Sequence, residues 1–583
     1  MPPHKTAQPQ TENSISAHSN SHIQPLTVRQ WCLRIWHTLR PLKIRQYYFL
    51  FIRRIWRNAY RPPKPHLALH QQLRGEPFLH HNPSLIKNQR FNFINQLSEF
   101  EITEPQWRAE GHAKLWRYNL HYFEFLQTDI SNTQKSMLID DWIQQNPLGE
   151  PDAWEPYPVS LRMVNWIKYW SRSDSPAPPQ AWLNSLYMQG YWLTQNIEFH
   201  IDGNHLFKNS VALVFWSHSF TDPFAKKWRS RAITLFTQEL FAQFTQDGNH
   251  YERSPMYHAL CLVFALDAYN VLAHNSPTDL TEVRSRLRLA LNFLQAIVLP
   301  NGSIPLLKDS AYSIAPEPQL IIDYACALGI RAAENPAAKR SLDAQWLSRA
   351  GYFIARQRGN YLLLDAGNIG PAHQPGHAHC DALHLELVLN NQPILCDTGV
   401  HSYADSADRH YARSTAAHNT LRINGAEQSD IWGQFRVGAR AKVRGQWLSD
   451  QQFEGQVEHF SHNGKKYTHR RKILINDFHE IVIDDQVTGA GRCDIEVFWH
   501  LAPSLRFMIQ DQQYRILNSE KMTVAVIKVQ QSSCISNIHQ SDYFPEFGLR
   551  TWRECLVVSQ TGALLPWSLR TSISPMPAGV NVE

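Results

Sequence analysis

Gly376-His377-Ala378-His379-Cys380-Asp381 runs into the alternating stretch Leu383-His384-Leu385-Glu386-Leu387-Val388-Leu389, turns at Asn390-Asn391-Gln392-Pro393 and returns as Ile394-Leu395-Cys396-Asp397-Thr398-Gly399. Apolar residues at every second position predict a strand with one buried face. The turn chemistry makes the pair a β-hairpin. On a strand, His377 and His379 would point to the same face. Ala417-His418-Asn419-Thr420 closes the block. His379, Asp397 and His418 are two imidazoles and a carboxylate, ligand types that suit zinc, which leaves His377 to face a substrate. A hairpin turning at 390–393 sets Asp397 opposite Glu386 rather than His379, so the three meet only if the chain bends or bulges near Cys380. The spacing matches no standard zinc motif. With 29 histidines in the chain, surface histidines and a turn aspartate are the alternative reading.

Outward from this block, the second half of the chain reads as strands. Tyr361-Leu362-Leu363-Leu364, Ala441-Lys442-Val443-Arg444, Arg471-Lys472-Ile473-Leu474-Ile475, Glu480-Ile481-Val482-Ile483 and Val524-Ala525-Val526-Ile527 are short, β-prone and separated by turn signals. They predict an antiparallel β-sandwich. The first half reads as helices: Ser160 to Ile167, Val211 to Trp216, Leu260 to Leu272 and Val283 to Leu299, punctuated by Pro and Gly clusters. Paired helices without strands between them predict an all-α domain. The expected division is a disordered polar tail over 1–27, a basic aromatic helical extension over 28–75, a helical domain over 76–348, a sandwich over 349–565 and a loose tail over 566–583.

The 583 residues exceed one hydrophobic core, so several domains are required. A net charge of +6 over this length gives no case for nucleic acid and fits an acidic ligand weakly. Eight scattered cysteines indicate neither a disulfide framework nor a cysteine zinc site. Nineteen tryptophans suit either a sugar-stacking cleft or a large core. Met1 to Pro25 lacks the apolar centre of a signal peptide, which argues for a cytoplasmic or inner-membrane-associated protein over a periplasmic one. Trp31 to Arg57 is basic and aromatic, with an apolar run far too short to span a bilayer. Trp31, Ile35 and Leu39 share helical spacing, which fits a helix packed on the next domain; peripheral contact with a membrane surface is the other reading.

Two polar stretches of the helical half carry groups able to do chemistry. In Asp202-Gly203-Asn204-His205-Leu206-Phe207-Lys208-Asn209, Asp202 or Asn204 caps a helix, or Asn204 and His205 project from its start toward an anion such as a carboxylate. In Asn249-His250-Tyr251-Glu252-Arg253-Ser254-Pro255-Met256-Tyr257, Pro255 fits a first helical turn. Tyr257 then lies where the helix dipole lowers a phenol pKa, as an acid–base catalyst or as a tyrosine buried on a neighbouring helix. Trp154 to Arg162 could line a sugar cleft or pack in the core.

Together, Asn204-His205 with Lys208-Asn209, Glu252 to Tyr257, Gly376-His377-x-His379-x-Asp381, Asp397 and Ala417-His418-Asn419-Thr420 resemble the heparinase II/III family of polysaccharide lyases, over roughly residues 80 to 560. The resemblance implies an incomplete (α/α) toroid followed by an antiparallel β-sandwich, and β-elimination on a uronic-acid polysaccharide bound between them. It implies carboxylate neutralisation by Asn204 with His205, general acid catalysis by Tyr257, which also acts as base for one C5 epimer, and His377 as base for the other. It makes His379, Asp397 and His418 the ligands of a structural Zn²⁺. Arg162, Glu252, Tyr403 and Tyr411 are expected to contact substrate. Two other functions remain open at this point: a glycoside hydrolase on the same toroid, using carboxylates among Glu155, Asp247 and Glu252, and a non-catalytic carbohydrate-binding or assembly protein.

Overall fold

The computed structural model describes residues 27–55, 70–79, 85–172, 174–333, 341–459, 465–531 and 533–576. An N-terminal helical hairpin, α1 (Val28–Leu39) and α2 (Ile44–Ile55), precedes a helical domain. That domain contains α3 (Lys114–Tyr122), α4 (Asn132–Gln145), α5 (Pro156–Trp170), α6 (Gln180–Leu193), α7 (Gly203–Ser219), α8 (Pro223–Gln243), α9 (Pro255–Asn275), α10 (Thr281–Ile297) and α11 (Pro318–Ala327). Side-chain caps mark several starts: Ser131 with Gln134 forms a capping box at α4, and Asp222 and Ser254 cap α8 and α9 just before a proline. α7 and α9 are buried on nearly every side, as helices apolar all round must be. They form the inner wall of an incomplete (α/α) toroid. α9 is long and apolar enough to cross a bilayer, but it lies buried in this core.

The second half is an antiparallel β-sandwich built from sheets of five, eight and four strands. The five-stranded sheet runs Asp343–Leu347, Tyr352–Gln357, Asn360–Asp365, Leu385–Leu389 and Gln392–Leu395 in chain order. Its inner face joins the larger sheets through Phe353, Leu362, Leu385, Phe453, Ile483 and Trp499. Its other face packs Tyr352, Ile354 and Leu363 against Phe293 and Ile297 of α10, which fixes toroid and sandwich to each other. One short helix, α12 (Ala407–Arg413), lies in the loop after the hairpin.

Several sequence expectations need correction. Residues 86–101 form a three-stranded meander inside the half read as helical, with two-residue turns at Asn88-Gln89 and Ile94-Asn95, all at positive φ. Gln71 donates to the Ser219 carbonyl and Leu73 is buried in the toroid core, so the last residues of the expected 28–75 extension belong to the toroid. The segment read as a loose tail from 566 holds a strand, Trp567–Pro575, paired on both sides within the eight-stranded sheet. Trp567, Leu569, Thr571 and Ile573 alternate inward there, a period-2 pattern masked by the serines and arginine between them. The tail expectations for 1–26 and 577–583 lie outside the described residues.

Candidate active site between toroid and sandwich

The hairpin turns at Asn390-Asn391, both at positive φ, with Leu387 opposite Leu395. Asp397 then lies beside Glu386, whose carboxylate accepts from the Asp397 N–H at 2.8 Å. Upstream, residues 376–384 are a run of turns rather than strand. His377 and His379 nevertheless converge, because both reach one carboxylate. His377 Nδ1 lies 2.9 Å from Asp309 Oδ2, and His379 Nε2 lies 2.8 Å from Asp309 Oδ1. Asp309 sits in the linker between α10 and α11 and is fully buried. The Arg409 guanidinium of α12 binds both of its oxygens. Burial alone would raise the Asp309 carboxyl, but Arg409 and the two histidine hydrogen bonds hold it well below the usual carboxylate range. An ionised Asp309 accepts Nδ1–H from His377, so Nε2 is the His377 atom left to exchange a proton.

Asn204 lies in the first turn of α7, behind Asp202, which caps the helix by accepting from the Gly203 N–H at 2.9 Å. The Asn204 backbone N–H donates to Glu252 Oε1 at 2.9 Å, and its amide Nδ2 lies 3.3 and 3.2 Å from the two Glu252 oxygens. Glu252 Oε2 is 3.4 Å from His377 Nε2. The His377 ring lies 4.0 Å, centroid to centroid, from that of Tyr257 in the first turn of α9, and the Tyr257 hydroxyl is 3.0 Å from that of Tyr403. Asn204, Glu252, His377, Tyr257 and Tyr403 are therefore one contiguous cluster, supplied by α7, the loop between α8 and α9, α9 itself and two loops of the sandwich.

His205, on the next α7 position, stacks on Tyr157 at 4.2 Å and places Nδ1 3.2 Å from Glu198. Burial lowers its pKa, but Glu198, with Glu252 and Glu155 beyond it, outweighs that and leaves it raised. Tyr257 departs from the dipole argument. Burial, then Tyr403 and the nearby Asp309 and Glu252 carboxylates, push its phenol well above the ordinary value, because a desolvated phenolate costs more than one helix terminus returns. It is a neutral phenol at physiological pH.

Other expected site residues lie elsewhere. Arg162 is fully buried in the toroid, where it donates to Gln189 and the His121 carbonyl and stacks on Trp142, and burial lowers its pKa. It is a core residue and not a cleft residue. Tyr403 enters the site, whereas Tyr411 packs beside Phe544 in the sandwich. Lys208 and Asn209 turn into the toroid, Lys208 over the Phe264 ring and Asn209 onto Ser160 and Glu198. The three carboxylates of the hydrolase reading have separate partners: Glu155 pairs with Lys114, Asp247 accepts from the Arg349 and Ala350 backbone, and Glu252 holds Asn204.

Behind the cluster lie the residues with metal-ligand chemistry. His418 Nδ1 is 2.6 Å from Asp397 Oδ1, and the His379 and His418 rings are 5.4 Å apart. His379 Nδ1, Asp397 Oδ2 and His418 Nε2 are all buried and have no hydrogen-bond partner among the described residues. Burial pushes His379 down to about 3, so it is a neutral imidazole with a free lone pair. Two imidazoles and a carboxylate with unpartnered, buried acceptor atoms have ligand chemistry that suits zinc. Among the described residues, the three whose ligand atoms lie within 4.8 Å of one another are His384, Asp397 and His418, rather than the set with His379. His384 Nδ1, however, already accepts the Asn419 N–H, which leaves the proton on Nε2 and makes His384 the poorer donor.

Comparison with known proteins agrees with this architecture. The heparinase II/III N-terminus profile matches residues 107–317, and the heparinase II/III-like C-terminal profile matches residues 339–563. The chain belongs to the heparinase II/III family. Its fold is shared with the crystal structure of heparinase III, at a TM-score of 0.63 and 16% identity over 91% of this chain and 89% of that one. It is also shared with heparan sulfate lyase HepC from Pedobacter heparinus, at a TM-score of 0.55 and 18% identity over 84% and 81% of the two chains. Among curated relatives, a heparin-sulfate lyase of Pedobacter heparinus is 23% identical over 62% of this chain and 57% of its own length. A heparin-sulfate lyase of Bacteroides thetaiotaomicron is 23% identical over 60% and 55%. The chain thus spans little more than half the length of these relatives. Asp309, Arg409 and Glu198 are the site residues that sequence reasoning missed. Glu198 precedes His205 by seven residues across a break between helices, and Asp309 and Arg409 meet only through the fold.

Proposed function

We propose that this heparinase II/III family chain is a lyase that cleaves a uronic-acid-containing polysaccharide by β-elimination. The observation that carries the proposal is the contact chain Asn204–Glu252–His377–Tyr257–Tyr403 across the two domains. A uronate C5 proton is only weakly acidic while its carboxylate is charged, so removal needs that charge neutralised first. The Asn204 amide at the start of α7 and a His205 imidazolium supported by Glu198 supply this. His377 Nε2 takes the C5 proton, with Nδ1–H anchored on Asp309. Tyr257, a neutral phenol, gives its proton to the departing C4 oxygen while Tyr403 holds its hydroxyl. The raised Tyr257 pKa favours this division of labour over one in which Tyr257 serves as both base and acid. Zn²⁺ would be held by His379, Asp397 and His418. There it would supply structural cross-linking of the loop that carries His377.

The curated relatives are named heparin-sulfate lyases, so heparan-type chains lead the substrate screen, followed by alginate-like and bacterial uronate-containing polymers. Each polymer is incubated with the protein and with an Asn204→Ala control. An ultraviolet-absorbing unsaturated uronate that the control does not produce supports the lyase. New reducing ends without that chromophore indicate a hydrolase, and no cleavage of any polymer indicates a binding protein.

A further inference from the structure

The N-terminal hairpin has two unlike faces. One is polar and pinned to both domains. Arg34 pairs with Asp430, Thr38 accepts from Trp432, Lys43 lies 2.9 Å from Asp202, and Arg45 lies 3.2 Å from Glu239. Phe49 packs on Phe199 at 4.7 Å. The other face is apolar and open to solvent. Half of the exposed large hydrophobic side chains among the described residues fall in Val28 to Phe51, Ile44 at 88% and Phe51 at 65% exposure among them. Such a concentration marks a contact surface rather than scattered surface apolarity.

Charge selects what covers it. Residues 28–55 contain seven Lys and Arg and no Asp or Glu. Arg29 and Arg40 are exposed beside the apolar side chains. A second copy of the hairpin would bring like charges together. An anionic lipid surface offers both an apolar interior for Trp31, Trp36 and Phe51 and counter-charge for the arginines. A second observation points the same way. At the turn between α1 and α2, a cavity of about 300 Å³ is lined by His37, Arg40, Pro41, Gly438 and Arg440. Arg440 Nε and Nη2 are buried there with no partner among the described residues. Exposed Leu39 and Ile44 flank this turn in sequence.

We infer that the hairpin docks the protein on an anionic membrane surface, its apolar face entering the interfacial region and the Arg40–Arg440 cavity taking a lipid phosphate. Because Lys43 and Arg45 hold Asp202, the cap of α7, docking also fixes the cleft relative to the bilayer. This inference does not depend on the lyase reading.

The test is flotation of the full chain with vesicles of phosphatidylcholine alone and of equimolar phosphatidylcholine and phosphatidylglycerol. The expected result is binding to the anionic vesicles, weakened by salt and reduced at least about tenfold in the triple variant Trp36→Ser, Ile44→Ser, Phe51→Ser. The pair Arg40→Gln, Arg440→Gln loses binding in the same way, and it serves if the triple variant melts below the wild type. Equal binding to neutral vesicles, no flotation, unchanged binding by both variants, or a dimer in solution that the triple variant abolishes would each overturn the proposal.

Discussion

At the residue scale, the site depends on protons being held on particular atoms. Tyr257 is kept neutral by burial and by its neighbours. Tyr257→Phe removes only the hydroxyl, so kcat on a cleaved polymer should fall by roughly 10²–10⁴-fold with little change in KM and an unchanged melting curve. His205 makes a different prediction, because it works as a cation. Its folded pKa is raised, so the imidazolium is present below that pKa and is lost as pH rises through it. Carboxylate binding should weaken along that alkaline limb. Glu198→Gln removes the main raising partner and should move the limb to lower pH, read as KM against pH. Asp309 was not legible in the sequence. Leu307-Lys308-Asp309-Ser310 reads as an ordinary loop, and only the fold brings Arg409 from a hundred residues away to keep Asp309 ionised. The positions of Asn204 and Tyr257 at helix starts, and of His377 in a histidine-rich turn, were legible from the local sequence. The placing of Arg162 in a cleft failed because a helical arginine amid aromatics looks the same whether it faces solvent or, as here, stacks on Trp142.

At the element scale, the start of α7 is closely packed against Glu252. Gly203 has φ +60°, and a Cβ there would lie 2.5 Å from Glu252 Oε1. Gly203→Ala should cost about 1–2 kcal/mol from the left-handed backbone alone. It should also displace the carboxylate that positions Asn204, so KM rises more than the loss of stability explains. Thermal melting and steady-state kinetics on the same variant separate the two effects. The sequence marked this start by Asp-Gly-Asn, and it marked the hairpin at 390–391 by paired asparagines. It did not mark the meander at 86–101, whose turns use Asn-Gln and Ile-Asn in a conformation that favours glycine. Periodicity located the long elements well because a buried helix and a half-buried strand each repeat their apolar residues. It gave no account of the turns at 376–384, where histidine placement is decided by Asp309 in another domain.

At the scale of the whole molecule, the loop that carries His377 is tied down by the Asp309–Arg409 pair, and the unpartnered atoms of His379, Asp397 and His418 lie behind it. If the purified protein carries zinc, elemental analysis should find about one ion per chain. Its removal by a chelator should lower the melting temperature by at least roughly 5 °C, with recovery on adding zinc back. An unchanged melting curve in a metal-free preparation would assign His379, Asp397 and His418 to ordinary packing. The toroid–sandwich division was legible because the change from helical to alternating periodicity near residue 350 is sharp. The N-terminal hairpin's attachment to both domains was not, since its partners Asp202, Glu239 and Asp430 lie far along the chain.

The strand Trp567–Pro575 has one more consequence. The eight-stranded sheet joins a block spanning 442–488 to a block spanning 506–530, and among the described residues this strand alone hydrogen-bonds to both. Ribosomal synthesis delivers it after either flank, so the two blocks must wait with facing edges open until it arrives as the keystone between them. A nascent chain released before that moment presents two adhesive edges to its neighbours, which makes timely completion of translation a condition for keeping this protein out of aggregates.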